Sequence, residues 1–244
     1  MQQVNKQVAL VTGANKGIGF EIARQLGRAG YTVILGARNP ELGRQAATTL
    51  SAEEIDVRFI ELDLEREGTV HDAAATIARE FGRLDILVNN AGIVDWSDGP
   101  PSATKPEAVE RTWRTNFMGA LVVTQAMLPL LRGSSAGRIV NVSSGLGSLE
   151  YNGDPNWEFA THKYLGYAAS KAALNMLTVQ LAYELRDTGI KVNAANPGFT
   201  ATDLNQHRGY QTVEQGAAEA VRLALLAQDG PTGGFFSSAG RDPW

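Results

Sequence analysis

Apolar runs recur along the chain at steady intervals, over 7–12, 32–37, 57–62, 84–89, 138–142 and 191–196, with a weaker one at 234–237. Several are apolar throughout rather than alternating, as strands covered on both faces are, and they predict buried parallel strands. Helix-compatible segments fill the gaps at 17–29, 41–50, 69–81, 105–131, 167–185 and 212–226. A repeated strand-then-helix order implies right-handed crossovers and a doubly wound, mostly parallel sheet of seven strands with helices on both faces. Ligands of such sheets bind beyond the carboxyl ends of the strands. Two irregular stretches, 93–104 with Gly99-Pro100-Pro101 and 146–162 with Asn152-Gly153-Asp154-Pro155, follow strands at that edge, where long loops are usually functional or disordered. There is no internal repeat, no low-complexity tract and no convincing linker, so one α/β domain spanning 1–244 is expected.

Composition narrows the partners. With 43% hydrophobic and 20% charged residues and a formal charge of −4, the chain carries no blanket of positive potential for nucleic acid. No apolar stretch approaches the roughly 18 residues that a membrane helix needs, and the polar start Met1-Gln2-Gln3-Val4-Asn5-Lys6 lacks a signal-peptide core, so a cytoplasmic location is expected. Zero cysteines exclude disulfides, thiolate metal sites and a cysteine nucleophile. His71, His162 and His207 lack metal-ligand spacing, and no Gly-x-Ser-x-Gly elbow is present, so neither a metal site nor serine hydrolysis is expected.

The first apolar run feeds Thr12-Gly13-Ala14-Asn15-Lys16-Gly17-Ile18-Gly19, which opens a predicted helix. That is the context of a dinucleotide-binding turn: Gly13 for the tight bend, Gly17 for close approach to a pyrophosphate, Gly19 for helix packing, and the helix N-terminus for the anion. An ordinary strand-to-helix turn is the competing reading. The second strand ends in Leu35-Gly36-Ala37-Arg38, with no carboxylate to accept a ribose 2′-hydroxyl, which argues against NAD. Arg38 and Lys16 are suited to a 2′-phosphate, so NADP(H) is the expected cofactor unless both are solvated surface cations. Arg44 is a further cation, read mainly as helix surface. Asp63-Leu64 closes the third strand, as an adenine contact or a helix N-cap. Asn89-Asn90-Ala91-Gly92 places small residues where backbone passes a flat ligand or simply turns.

Tyr167 and Lys171, four residues apart on a predicted helix, project from one face. A nearby ammonium and an oxidised nicotinamide are expected to lower the phenol pKa from its usual value of about 10. The bland alternative is an interfacial tyrosine beside a snorkelling lysine. Together with the glycine loop, Asn89-Asn90-Ala91-Gly92, Asn116 in Thr115-Asn116-Phe117, Ser144 in Val140-Asn141-Val142-Ser143-Ser144, and Pro197-Gly198-x-x-x-Thr202, the chain resembles the short-chain dehydrogenase/reductase family over almost its whole length. The glycine loop with its lysine, Ala37-Arg38 and Asn89-Asn90-Ala91-Gly92-Ile93 resemble NADPH-dependent carbonyl reductases within it. The resemblance implies a single-domain Rossmann fold and a carbonyl reductase. It implies that Tyr167 is the proton donor, that Ser144 (rather than Ser143) orients the carbonyl, that Lys171 holds the nicotinamide ribose and that Asn116 anchors a water. Asn15, Ile18, Asn90, Ala91, Gly92, Pro197, Gly198, Thr200 and Thr202 then join the cofactor contacts.

Ser144 and Tyr167 lie 23 positions apart, roughly ten more than in many members, which implies an insert near 150–163. Its Tyr151, Trp157 and Phe159 are expected either to wall the pocket of an apolar ketone or aldehyde or to pack the loop on its own domain. The segment 199–210 is a candidate lid hinged at Gly209, with Phe199 and, from the loop after Gly92, Trp96 as further pocket residues. Monomer and homo-oligomer both stay open. The expected activity is NADPH-dependent reduction of a small carbonyl compound; a non-catalytic NADP-binding sensor and an NAD-linked dehydrogenase of a hydroxylated metabolite are the alternatives.

Overall fold

A computed structural model describes residues 6–244. Residues 1–5, the polar start on which the localisation expectation drew, lie outside the described residues. The strands are β1 (Val8–Thr12), β2 (Thr32–Ala37), β3 (Val57–Glu61), β4 (Ile86–Asn89), β5 (Arg138–Val142), β6 (Lys191–Ala195), β7 (Phe235–Ser237) and β8 (Gly240–Arg241). They form one sheet in the order β3-β2-β1-β4-β5-β6-β7-β8. All pairings are parallel except β7 with β8, so the sheet has eight strands rather than the expected seven. The extra strand is a two-residue return across a tight turn, too short to leave a periodic signal.

Every residue of β1, β2, β4 and β5 is buried, which is why these strands read as continuous apolar runs. Alternate side chains supply two cores. Ala9 and Val11 face a cluster with Ile22, Leu26 and Leu50 on one side of the sheet, while Val8 and Leu10 face Ile77, Met127 and Leu181 on the other. The covering helices are α1 (Gly17–Arg28), α2 (Pro40–Ala52), α3 (Glu67–Phe81), α4 (Pro106–Trp113), α5 (Ala120–Leu131), the short α6 (Leu149–Gly153), α7 (Leu165–Glu184) and α8 (Val213–Ala224). Local chemistry sets their starts. The Asn39 side chain accepts from Glu41 N and Leu42 N ahead of α2, and a reciprocal Thr212–Gln215 box opens α8.

The single helix expected over 105–131 is instead two helices joined by a π-helical stretch, Arg114–Gly119. Widened turns of this kind occur mostly at functional sites, and this one carries Asn116. Because β1 lies between β2 and β4, the chain reverses its winding there, and a crevice opens beyond Thr12, Ala37 and Asn89. Among the described residues no helix is long and apolar enough to cross a membrane.

Candidate active site

The floor of the crevice is stitched from the ends of β1 and β4. Thr12 Oγ1 accepts from Asn90 N and Ala91 N, both at 3.0 Å, and Asn90 Nδ2 donates to Thr12 O (2.9 Å) and Gly13 O (3.3 Å). Gly13 adopts φ +63°, and a Cβ there would stand 2.9 Å from Ala91 Cα. A Cβ on Gly19 would meet Asn90 Nδ2 at 2.3 Å and Gly13 O at 2.6 Å. Helix α1 then begins with no side-chain cap and no acidic residue in its first turn. Its leading N–H groups and the positive end of its dipole are left for an anion, so the cradle suits a pyrophosphate. Gly19→Ala is expected to lower NADPH affinity at least tenfold by pushing the Asn90 side chain and Gly13 out of the cradle, as fluorescence titration would read.

A cavity of about 570 Å³ runs from this cradle to Tyr167. Of the residues expected around a nucleotide, Gly13, Asn15, Lys16, Gly17, Ile18, Gly19, Arg38, Asp63, Leu64, Asn90, Ala91, Gly92, Tyr167, Lys171, Pro197 and Thr202 line it. Gly198 and Thr200 do not; the Thr200 hydroxyl instead donates to Pro197 O (3.0 Å), bracing the turn after β6. At the outer end, Arg38 forms no ion pair among the described residues. Arg44 lies over the Phe59 ring at 5.8 Å, the surface role expected of it. Asp63 caps neither helix: its Oδ1 accepts from Glu65 N (3.1 Å), within a turn ahead of α3, whose N-cap is Arg66.

Lys16 is not free. Its Nζ meets Asp203 Oδ2 at 2.5 Å, and Asp203 Oδ1 contacts His207 Nε2 at 2.8 Å. The pairing with Lys16 first, then with His207, holds the Asp203 carboxyl below its ordinary range. On the opposite wall the Arg208 guanidinium lies 5.8 Å from the Trp96 ring centroid. The 199–210 segment thus touches the glycine loop at one end and the loop after β4 at the other. Sequence flagged the segment but not these partners, since Lys16 and Asp203 lie 187 positions apart.

At the inner end of the cavity, Tyr167 and Lys171 of α7 line the wall together with Ser143, while Ser144, just beyond β5, does not line it. The Ser144 Oγ accepts from Leu146 N at 3.2 Å, and the side chain stands near enough to the Tyr167 phenol to favour its ionised form. Ser143 is committed elsewhere, donating to Asn175 Oδ1 at 2.6 Å. Lys171 Nζ donates to Val142 O (2.8 Å) and lies 5.8 Å from the Tyr167 ring centroid. Both side chains are buried, and this sets their titration. Burial raises the Tyr167 pKa above its usual value, with Ser144 opposing, and it lowers that of Lys171 to about 8. Desolvation thus opposes the acidification expected of Tyr167, because it penalises the phenolate and the ammonium together. Asn116 sits one layer out: Nδ2 donates to Ile93 O and Ser170 Oγ, both at 3.0 Å, and Oδ1 accepts from Ile93 N (2.8 Å).

Trp96 lines the cavity; Trp157 and Phe199 do not. Trp157 stacks on Tyr151 at 5.2 Å and meets Phe159 at 5.4 Å, and Phe159 in turn meets Phe199 at 5.5 Å. These aromatics tie the 150–163 segment to the one after β6. Among the described residues no group of three His, Asp or Glu side chains is placed to hold a metal ion.

A doubly wound sheet with a glycine cradle at the reversal of its strand order and a Ser-Tyr-Lys cluster at its carboxyl edge defines a nucleotide-dependent oxidoreductase class. The chain matches the short chain dehydrogenase family over residues 7–212, and it belongs to that family of oxidoreductases. It is 38% identical to the short-chain dehydrogenase anuI of Penicillium roqueforti (strain FM164), covering 92% of this chain and 90% of that one. It is 34% identical to carbonyl reductase (NADPH) 1 of Mus musculus over 98% and 99% of the two chains. The NADPH-bound carbonyl reductase from chicken fatty liver superposes with a TM-score of 0.85 at 26% identity, covering 98% of this chain and 94% of that one.

Proposed function

We propose that the protein is an NADPH-dependent reductase of ketones and aldehydes, formally reversible as an alcohol dehydrogenase. The observation that carries this reading is the buried Tyr167 phenol, near Ser144 and one helical turn from Lys171, beside a cradle that ends in Arg38 rather than a carboxylate. Relatives named as NADPH carbonyl reductases support it.

In this reading the α1 N-terminus and the glycine turn bind the pyrophosphate, and Arg38 takes the 2′-phosphate. Lys16 adds a second cation by exchanging Asp203 for phosphate; the ion pair is more than half exposed and so holds it weakly. Lys171 holds the nicotinamide ribose. The nicotinamide, when bound, supplies hydride to the carbonyl carbon. Ser144 donates to the carbonyl oxygen and fixes its place, and Tyr167 delivers its proton to that same oxygen as charge develops there. The raised phenol pKa keeps Tyr167 protonated through neutral pH, the form that reduction needs. Ile93, Val94, Trp96 and Leu204 supply apolar wall near the reacting atoms and exclude water.

Incubation with NADPH and a panel of aliphatic and aromatic ketones, aldehydes and quinones tests the reading: consumption of NADPH with at least one is expected, and none across the panel refutes it. Cofactor choice has its own test. Arg38→Glu is expected to swing the NADPH-to-NADH preference by about 10²-fold toward NADH, the scale of one charge-assisted hydrogen bond gained and one lost. Equal affinity of the parent for both nucleotides would sink the NADP assignment.

A further inference from the structure

Asp98 lies in the irregular loop between β4 and α4 and is 8% exposed, yet no motif marks it. Helix α7 begins at Leu165 behind Tyr164, whose side chain makes no capping bond. The N–H groups of its first turn must find acceptors elsewhere. The β4 loop supplies all three at the helix start. Gly99 O accepts from Leu165 N (3.0 Å), Asp98 Oδ1 from Gly166 N (3.1 Å) and Asp98 Oδ2 from Tyr167 N (2.9 Å). The carboxylate is itself fixed, with Oδ1 also accepting from Gly99 N (2.8 Å) and Thr104 Oγ1 (2.7 Å). The same turn is packed closely: a Cβ on Gly166 would stand 2.8 Å from Val109 Cα of α4 and 3.2 Å from Asp98 Oδ2.

We propose that Asp98 is a positioning residue for Tyr167: it fixes the first turn of α7 and thereby places the phenol against Ser144. Tyr167 is the third residue of the helix, where an uncapped end frays, and its backbone N–H is taken by Asp98 itself. Its carbonyl is taken by the Ser170 hydroxyl (2.7 Å), which in turn accepts from Asn116. Asn116 grips Ile93 near the start of the β4 loop and Asp98, midway along it, grips the first turn of α7, so the loop and the catalytic helix are one unit. A negative charge at a helix N-terminus is also electrostatically favoured. Displacing a reacting group by about 1 Å can cost about 10²-fold in rate, so loss of this grip is read in turnover rather than in nucleotide binding.

This inference rests on the reading of Tyr167 as proton donor, and its test separates the two. Asp98→Ala, Tyr167→Phe and the double variant are compared for kcat on a ketone reduced by the parent, for NADPH affinity and for amide hydrogen exchange over 164–170. Asp98→Ala is expected to lower kcat about 10²-fold with NADPH Kd within about threefold, and to speed exchange at Gly166 and Tyr167. Added to Tyr167→Phe, it is expected to cost less than about threefold more, because residues acting through one group are not additive. Asp98→Asn, which keeps one acceptor oxygen, is expected to recover most of the rate, and it carries the same cycle if the alanine variant does not fold. A kcat for Asp98→Ala within about threefold of the parent, or a loss that multiplies in full with Tyr167→Phe, overturns the proposal. A parent that binds NADPH and reduces nothing overturns the reductase reading instead; exchange then decides the anchoring alone, and unchanged protection at Gly166 and Tyr167 refutes it.

Discussion

Tyr167→Phe is expected to lower kcat by 10²–10⁴-fold while leaving NADPH affinity within about threefold, the worth of one positioned general acid. The phenol sits at the inner end of the cavity; in the proposed reaction it serves the reacting oxygen alone, whereas the pyrophosphate and 2′-phosphate would be held by backbone groups and cations farther out. Removing one hydroxyl leaves the ring and its packing in place. Steady-state turnover beside fluorescence titration of NADPH checks both halves, and full activity in the variant would remove Tyr167 from the chemistry.

Lys171→Met is expected to abolish most turnover and, at pH 7 without nucleotide, to make the protein more stable. The lysine is buried, no carboxylate pairs with it among the described residues, and its pKa falls from the ordinary 10.5 to about 8. A depression of that size corresponds to about 3 kcal/mol of unfavourable folding energy. The sign follows from proton counting. Below pH 8 the ammonium is charged in both states and the full penalty applies. Between pH 8 and 10.5 the unfolded chain binds more protons and the penalty fades; above 10.5 it is gone. Methionine removes the penalty and forfeits the bond to Val142 O, worth about 1 kcal/mol, for a net gain of about 2 kcal/mol at pH 7. Denaturant unfolding of both proteins at pH 7 and pH 10.5 would read it: the variant's advantage should vanish at the higher pH. A variant less stable at pH 7 would mean that the ammonium is compensated in the fold.

Much of this architecture was legible before any coordinates, for physical reasons that can be located. β1, β2, β4 and β5 announce themselves because burial on both faces leaves polar residues few and mostly at the strand ends, and their observed limits fall within one or two positions of the apolar runs. The glycine turn was legible because Gly13 and Gly19 answer steric demands that only glycine meets. What escaped depends on contacts distant in sequence. The π-helical turn at Asn116 is set by bonds to Ile93, and Asp98 looks like any turn aspartate before Gly99-Pro100-Pro101 until Gly166 and Tyr167 arrive opposite it. The upward push of burial on the Tyr167 pKa belongs to the same class, since it follows from how deeply the pair is buried and not from its spacing.

The two ends of the crevice are made of different material. The nucleotide end is largely main chain, held by glycines that tolerate no added carbon and by amides stitched to Thr12, so drift in side-chain identity has little there to act on. Elsewhere the cavity is walled by side chains such as Trp96 on connecting segments, and Tyr151, Trp157, Phe159 and Phe199 interlock the segments after β5 and β6. Exchanging those segments as a set can retarget such a scaffold to new molecules while its redox engine stays untouched.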